Sequence, residues 1–248
     1  FTLTATTISG ASPADTLFDN VPGTVGLTYA NLETINIALG DTAGDTVTVA
    51  SMNNGTTYNV DANNPTAAPG DTLILQSVNG MNVYTNAGAT HYIYEFVGTT
   101  GNLNAADFET TTIAPGNGQL NIIGDAGQGT SGGGAGSDVV DTITVTGTAQ
   151  NEGTLTMNSV PSPTTVSFTN VTDLNITSFE ETDSITITPF ATATQPWNME
   201  VDIAGGAGSD RLTYHNVATV FDDVTLVATG TGSGRIDAPG IGSGTTNE

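Results

Sequence analysis

The sequence predicts an all-β protein of repeated β-modules, arranged as a solenoid-like stack in preference to tandem β-sandwiches. Three observations carry that prediction. The first is composition, with 46 threonines and 31 glycines in 248 residues. β-Branched threonine is stiff about χ1 and suits a pleated strand, while glycine suits turns that need a positive φ. The second is a set of short runs with period-two alternation, such as Asp45–Val49 and Asp183–Ile187, and no amphipathic helical stretch of useful length. The third is internal repetition.

The repetition is long and ordered. Val21–Ile37 aligns with Val160–Ile176 through a Val-Pro start, an aromatic residue (Tyr29 or Phe168), an asparagine (Asn31 or Asn170) and a closing Asn-Ile. Downstream, Asp45–Val49 aligns with Asp183–Ile187, Tyr58–Asp61 with Met199–Asp202, and Gly70–Leu75 with Ser209–Tyr214. Four blocks in one order at a nearly constant offset indicate duplication. The expected modules are residues 1–138 and 139–248. The first carries an aromatic, hairpin-like insertion over residues 82–98. The second is shorter and ends in a glycine-rich tail over residues 230–248.

Within each module a smaller phrase recurs: a short alternating strand, a glycine-rich loop, an aspartate, and a second alternating strand. Five aspartates occupy the loop-to-strand position: Asp45, Asp71, Asp141, Asp183 and Asp210. An aspartate there can close an Asx-turn on its own backbone or offer its carboxylate to a cation. Each phrase is expected to form a local two-strand unit.

Charge narrows the partners. Twenty-five acids face two arginines, Arg211 and Arg235, with no lysine, for a formal charge of −23. Such a surface repels nucleic-acid phosphates and anionic lipids, so neither nucleic acid nor membrane insertion is expected. Without cysteine no disulfide staples the fold, and without lysine no Lys–Asn isopeptide can form. There is no initiator methionine, signal-peptide core or apolar span, so the chain reads as a mature product or a piece of something longer.

One hexapeptide, Gly-Gly-Ala-Gly-Ser-Asp, occurs twice, at 133–138 and 205–210. The second copy, continuing into Arg211-Leu212-Thr213, matches G-G-x-G-x-D-x-(large apolar)-x, a calcium-binding turn of β-rolls. On these residues the chain resembles the RTX-like, hemolysin-type calcium-binding repeats of large bacterial secreted surface proteins of adhesin and S-layer type. The resemblance implies an extracellular location and calcium as cofactor. Gly205, Gly206, Gly208 and Asp210 match fully, whereas Gly133, Gly134, Gly136 and Asp138 match the turn but not the strand after it. Family nonapeptides follow one another directly; here the two copies are separated by ordinary strands.

A calcium ion takes six to eight oxygens, and a lone GGxGxD turn supplies one carboxylate and a few carbonyls. The remaining ligands must come from neighbouring turns, for which Asp202, Asp71, Asp183 and Asp141 are candidates. The plainer alternative is a Gly-Asp β-turn that binds no metal.

Evidence for catalysis is thin. Asp222-Asp223 and Glu180-Glu181 are sequence neighbours, which point to opposite faces of a strand. His91 and His215 are isolated, and no G-x-S-x-G elbow is present. Trp197, with Tyr92 and Tyr94, would form an exposed platform if the protein bound sugars; otherwise Trp197 caps the core. Threonines alternate along several strands, but those strands are well separated in sequence. A flat threonine array is therefore not expected, and cross-strand threonine pairing on a solvated sheet explains them.

The expected function is structural and not enzymatic: a calcium-assisted building block of a surface layer, adhesin stalk or filament. Its partners are then copies of itself or neighbouring repeats of a longer chain. The alternatives are a carbohydrate-binding module that recognises surface polysaccharide and, behind it, a β-helix enzyme acting on polysaccharide.

Overall fold

The computed structural model describes residues 2–10, 25–40, 44–63, 70–85, 91–124, 140–158, 165–179, 182–190, 197, 199–206, 209–215, 225–230 and 233–237. Among them all regular structure is strand, gathered into one mixed sheet of eleven strands and another of ten. Neither sheet closes into a barrel. No helix among the described residues is long and apolar enough to cross a membrane.

The chain begins with β1 (Thr2–Leu3), β2 (Thr7–Gly10) and β3 (Val25–Thr28), an antiparallel set at one end of the eleven-stranded sheet. It then alternates between sheets. β4 (Thr34–Ala38) and β6 (Thr57–Asp61) pair in parallel in the ten-stranded sheet, Ile35 opposite Tyr58. β5 (Thr46–Val49) and β7 (Thr72–Ser77) pair in parallel in the eleven-stranded sheet, Val47 opposite Leu73. The aromatic insertion is a hairpin, as its sequence suggests: β8 (Met81–Tyr84) runs antiparallel to β9 (Ile93–Phe96). β10 (Asn102–Ala106) returns parallel to β6, β11 (Thr110–Pro115) lies parallel to β7, and β12 (Gln119–Ile123) lies parallel to β8.

A meander of β13 (Thr142–Ala149), β14 (Glu152–Met157) and β15 (Val166–Phe168) widens the eleven-stranded sheet, β15 joining β11 in parallel. Alternation then resumes. β16 (Asp173–Thr177) and β18 (Glu200–Ala204) extend the ten-stranded sheet beyond β12. β17 (Ser184–Thr188) and β19 (Arg211–Tyr214) extend the other beyond β13. β20 (Thr225–Gly230) and β21 (Ser233–Asp237) form an antiparallel pair at the end of the ten-stranded sheet.

The duplication in the sequence is a duplication of path. β4 to β7 and β16 to β19 each visit the ten-stranded sheet, the eleven-stranded sheet, and then both again. Each Asp phrase therefore contributes one strand to each sheet, so its two strands do not pair with one another. Each sheet joins strands from both expected modules, β12 pairing with β16 and β11 with β15.

Period-two alternation explains the core. Alternate residues of β4, β5, β6 and β7 are buried, and one apolar cluster between the sheets runs from Leu3 to Met199. Each fully buried aliphatic side chain contributes about 1.5–3 kcal/mol. The outward face carries the cross-strand threonine pairing expected from the sequence, extended into rows. Strands distant in sequence become neighbours, and threonines fall into rows: Thr46, Thr72 and Thr110 in one, Thr156, Thr144, Thr186 and Thr213 in another. Sequence separation does not limit such rows, because strands distant in the chain lie side by side in the sheet.

Candidate site: two columns of carboxylates at the strand entries

All five phrase aspartates lie one residue before a strand of the eleven-stranded sheet, at the crossing from the other sheet. Parallel pairing stacks these entries into two columns. In the first, the main-chain N–H of Asp45 donates to Asp71 Oδ1 at 2.5 Å, and that of Asp71 donates to Glu109 Oε2. In the second, the N–H of Asp141 donates to Asp183 Oδ1 at 2.8 Å, and that of Asp183 to Asp210 Oδ1 at 3.1 Å. Main-chain carbonyls continue the ladder, with Ser184 N–H donating to Asp141 O and Arg211 N–H to Asp183 O, both at 2.8 Å. A carboxylate at one strand entry thus caps the entry of the parallel strand beside it, satisfying a donor that lies where the ladder begins.

Burial makes these caps costly. Asp71, Asp141 and Asp183 are almost wholly buried. Asp71 Oδ2 and Asp183 Oδ2 are buried without a hydrogen-bond partner. Burial raises the Asp183 carboxyl above the ordinary 3.8; the Asp141 N–H pulls it down, and the Asp210 charge pushes it up. Burial likewise raises Asp71, opposed by the Asp45 N–H and reinforced by the Glu109 and Asp45 charges.

The glycines beside the columns have steric reasons. A Cβ at Gly124 would lie 2.0 Å from Asp141 Oδ2, and one at Gly205 would lie 2.7 Å from Asp210 Oδ2. Between them in the stack is Ser178, whose hydroxyl donates to the Gly205 carbonyl at 3.0 Å. Gly206 has φ +84°, and a Cβ there would lie 1.5 Å from the Phe179 carbonyl oxygen. The first two glycines of the second hexapeptide are thus required by close packing before any ligand is considered.

Of the residues the sequence nominates as metal ligands, Asp141, Asp183 and Asp210 come together in one column. Asp71 belongs to the other. Asp202 is exposed on the outward face of β18, in register with Asn175 and away from both columns. Gly133, Gly134, Gly136, Asp138 and Gly208 lie outside the described residues. Among the described residues no group of three or more His, Asp or Glu side chains converges closely enough to hold a metal. Asp71, Asp183 and Asp210 direct Oδ1 to main-chain N–H groups, while Asp141 Oδ1 accepts from the Asn158 side-chain amide. Among the described residues each column presents one buried oxygen without a hydrogen-bond partner, Asp71 Oδ2 or Asp183 Oδ2.

Two further polar ladders escape the sequence reading. Asn104 Nδ2 donates to Asn59 Oδ1, and Asn59 Nδ2 to Asn36 Oδ1, both at 2.7 Å. Asn175 Nδ2 donates to Asn121 Oδ1 at 3.1 Å, and Asn121 Nδ2 to Asn82 Oδ1 at 2.7 Å. The signal was present as a recurring apolar-Asn-apolar triplet, in Ile35–Ile37, Tyr58–Val60, Leu103–Ala105, Met81–Val83, Leu120–Ile122 and Leu174–Ile176.

The aromatic residues suggested for sugar binding point inward. Trp197 is 1% exposed, and Tyr92 and Tyr94 are 0% exposed, so these three rings form no platform. Tyr92 hydroxyl instead accepts the Met157 N–H at 2.9 Å, tying the hairpin insertion to the meander. The chain matches no family model, no curated protein and no solved structure.

Proposed function

We propose that the chain is an extracellular structural protein, a calcium-assisted β-repeat building block of a surface layer, adhesin stalk or filament, wound as a solenoid-like stack. One observation carries the reading: the polar side chains with the most demanding geometry serve contacts between windings. Carboxylates cap N–H groups of the adjacent winding, and asparagines bond asparagines of the adjacent winding. A catalytic or ligand-binding domain concentrates such groups around a concave site; here they run along the stack, as a load-bearing repeat requires. Parallel returns of each strand beside its predecessor favour the solenoid-like description over tandem sandwiches, whose sheets are antiparallel.

Calcium enters through charge. A body of net charge −23 with orphaned oxygens on Asp71 and Asp183 gains stability from any cation bound only by its folded state. Side chains alone do not complete such a site, so weak, millimolar binding of the kind typical of extracellular modules is the expected regime.

The test is shape together with chelation. Small-angle scattering of the purified chain should give an elongated particle, and isothermal titration should detect weak calcium uptake. A compact particle with hydrolytic activity on polysaccharide would replace this reading with the enzyme alternative.

A further inference from the structure

Among the described residues the two edges of the eleven-stranded sheet are β3 at one end and β19 at the other. They run in the same direction. β3 is antiparallel to β2, which is antiparallel to β1, which is parallel to β5. β19 reaches the same direction through β17, β13 and the meander, whose two reversals cancel.

Both edges expose a residue that belongs to the core. Leu27 on β3 continues the inward row of Ile8 and Leu3, which are 6% and 0% exposed, yet Leu27 itself is 54% exposed. Leu212 on β19 continues the inward row of Ile143 and Ile185, 0% and 2% exposed, yet it is 42% exposed. Lying at an edge does not by itself expose a core position. Ile35 and Ile37 on β4, the edge of the other sheet, are both buried. Each end of the eleven-stranded sheet therefore presents one exposed leucine of a core row on an edge strand that has no further strand partner among the described residues.

We propose that β19 of one copy pairs in parallel with β3 of a second copy, head to tail, extending the eleven-stranded sheet across the junction. Leu212 and Leu27 then complete each other's row. The contact is heterologous, so each copy keeps one edge free after pairing and assembly propagates into an open filament. Strand addition supplies the main-chain hydrogen bonds, and the leucines fix the register. Two bodies of charge −23 repel, which opposes the contact at low salt. Arg211, exposed on β19, is one of only two cations in the chain and removes part of that repulsion at the junction. Repulsion between the remaining charges is screened beyond about 8 Å at physiological ionic strength. Added salt should therefore lengthen the assemblies.

This inference rests on the scaffold reading and names its partner. Its test uses the 248-residue chain, sedimentation velocity and electron microscopy, with Leu27→Glu and Leu212→Glu variants checked for unchanged circular dichroism. The wild type should form linear oligomers that grow with concentration and with sodium chloride, and each variant alone should be monomeric. An equimolar mixture of the two variants should give dimers and nothing longer, because each contributes its one intact edge. A monomeric wild type, or variants that assemble as the wild type does, overturns the junction. So does a mixture that stays monomeric. If glutamate disturbs the fold, Leu27→Ser and Leu212→Ser give the same pattern with at least tenfold weaker association than wild type. An elongated particle that never associates removes the end-to-end contact and leaves the scaffold reading standing.

Discussion

Asp183 Oδ1 accepts the main-chain N–H of Asp141 at 2.8 Å, while Asp183 Oδ2 is buried with no partner. One half of this carboxylate joins the entries of two neighbouring strands, and the other half pays for it in desolvation. The halves separate by mutation. Asp183→Ala leaves the Asp141 N–H unsatisfied in a buried position and should cost about 1–3 kcal/mol. Asp183→Asn keeps an acceptor for that N–H and removes the buried charge, so it should unfold at an equal or higher denaturant midpoint than wild type at neutral pH in chelator. If Ala and Asn are equally damaging, the cap is not what Asp183 supplies.

The same geometry sets a pH dependence. Burial raises the Asp71 and Asp183 carboxyls above 3.8, so the folded chain holds these protons more tightly than the unfolded chain does. Stability from such groups is fully present below the ordinary value and is lost as pH rises through the raised folded value. In chelator, wild type should therefore gain thermal stability relative to Asp183→Asn as pH falls from neutral into that window. Saturating calcium should shrink the difference, since a cation on Asp183 Oδ2 replaces the proton. Parallel melting curves for the two proteins across pH, with no calcium effect, would exclude both proton and ion from that oxygen.

The second hexapeptide makes a steric prediction that differs from its metal prediction. Gly206 sits at φ +84° with the Phe179 carbonyl where a Cβ would go. Gly206→Ala should destabilise the last winding by more than about 1 kcal/mol, with or without calcium. Hydrogen exchange should place the loss in β18 and β19. An effect seen only in calcium would make the glycine a ligand-site residue instead.

The amide ladders offer a milder perturbation. Asn121 donates to Asn82 and accepts from Asn175 and Gln119, so Asn121→Ala breaks three contacts at once. A half-exposed pair of this kind contributes modestly, and a loss of about 1 kcal/mol is expected in urea unfolding. An unchanged midpoint would show that water replaces the ladder at no cost.

These residues also show how far the sequence could be read. Alternation in Asp45–Val49 and Asp183–Ile187 revealed the strands, and the loop-to-strand aspartates were legible as a position. Their partners were not. Which N–H Asp183 caps depends on parallel return of a strand 42 residues away, which no local pattern encodes. The asparagine ladders, and the extension of the expected threonine pairs into rows, were missed for the same reason, since they are periodic across the sheets and not along the chain. Trp197 shows the opposite limit. A lone tryptophan in a loop sequence is compatible with a sugar platform or a core plug, and only its burial separates the two.

That burial gives the last prediction. Trp197 belongs to the apolar cluster together with Met199, at 1% exposure, with its Nε1 buried and unpartnered. A ring held this way acts by filling volume, and truncation leaves a cavity that the surrounding β-structure closes only in part. Trp197→Ala should cost about 3–5 kcal/mol. Trp197→Phe should recover much of that and also remove the unsatisfied N–H, so it should lie closer to wild type than ring size alone implies. Denaturant unfolding measures both, and glycan-array binding measures the competing role. A Trp197→Ala protein of wild-type stability that loses binding to a glycan would return the ring to the surface and revive the carbohydrate-binding alternative.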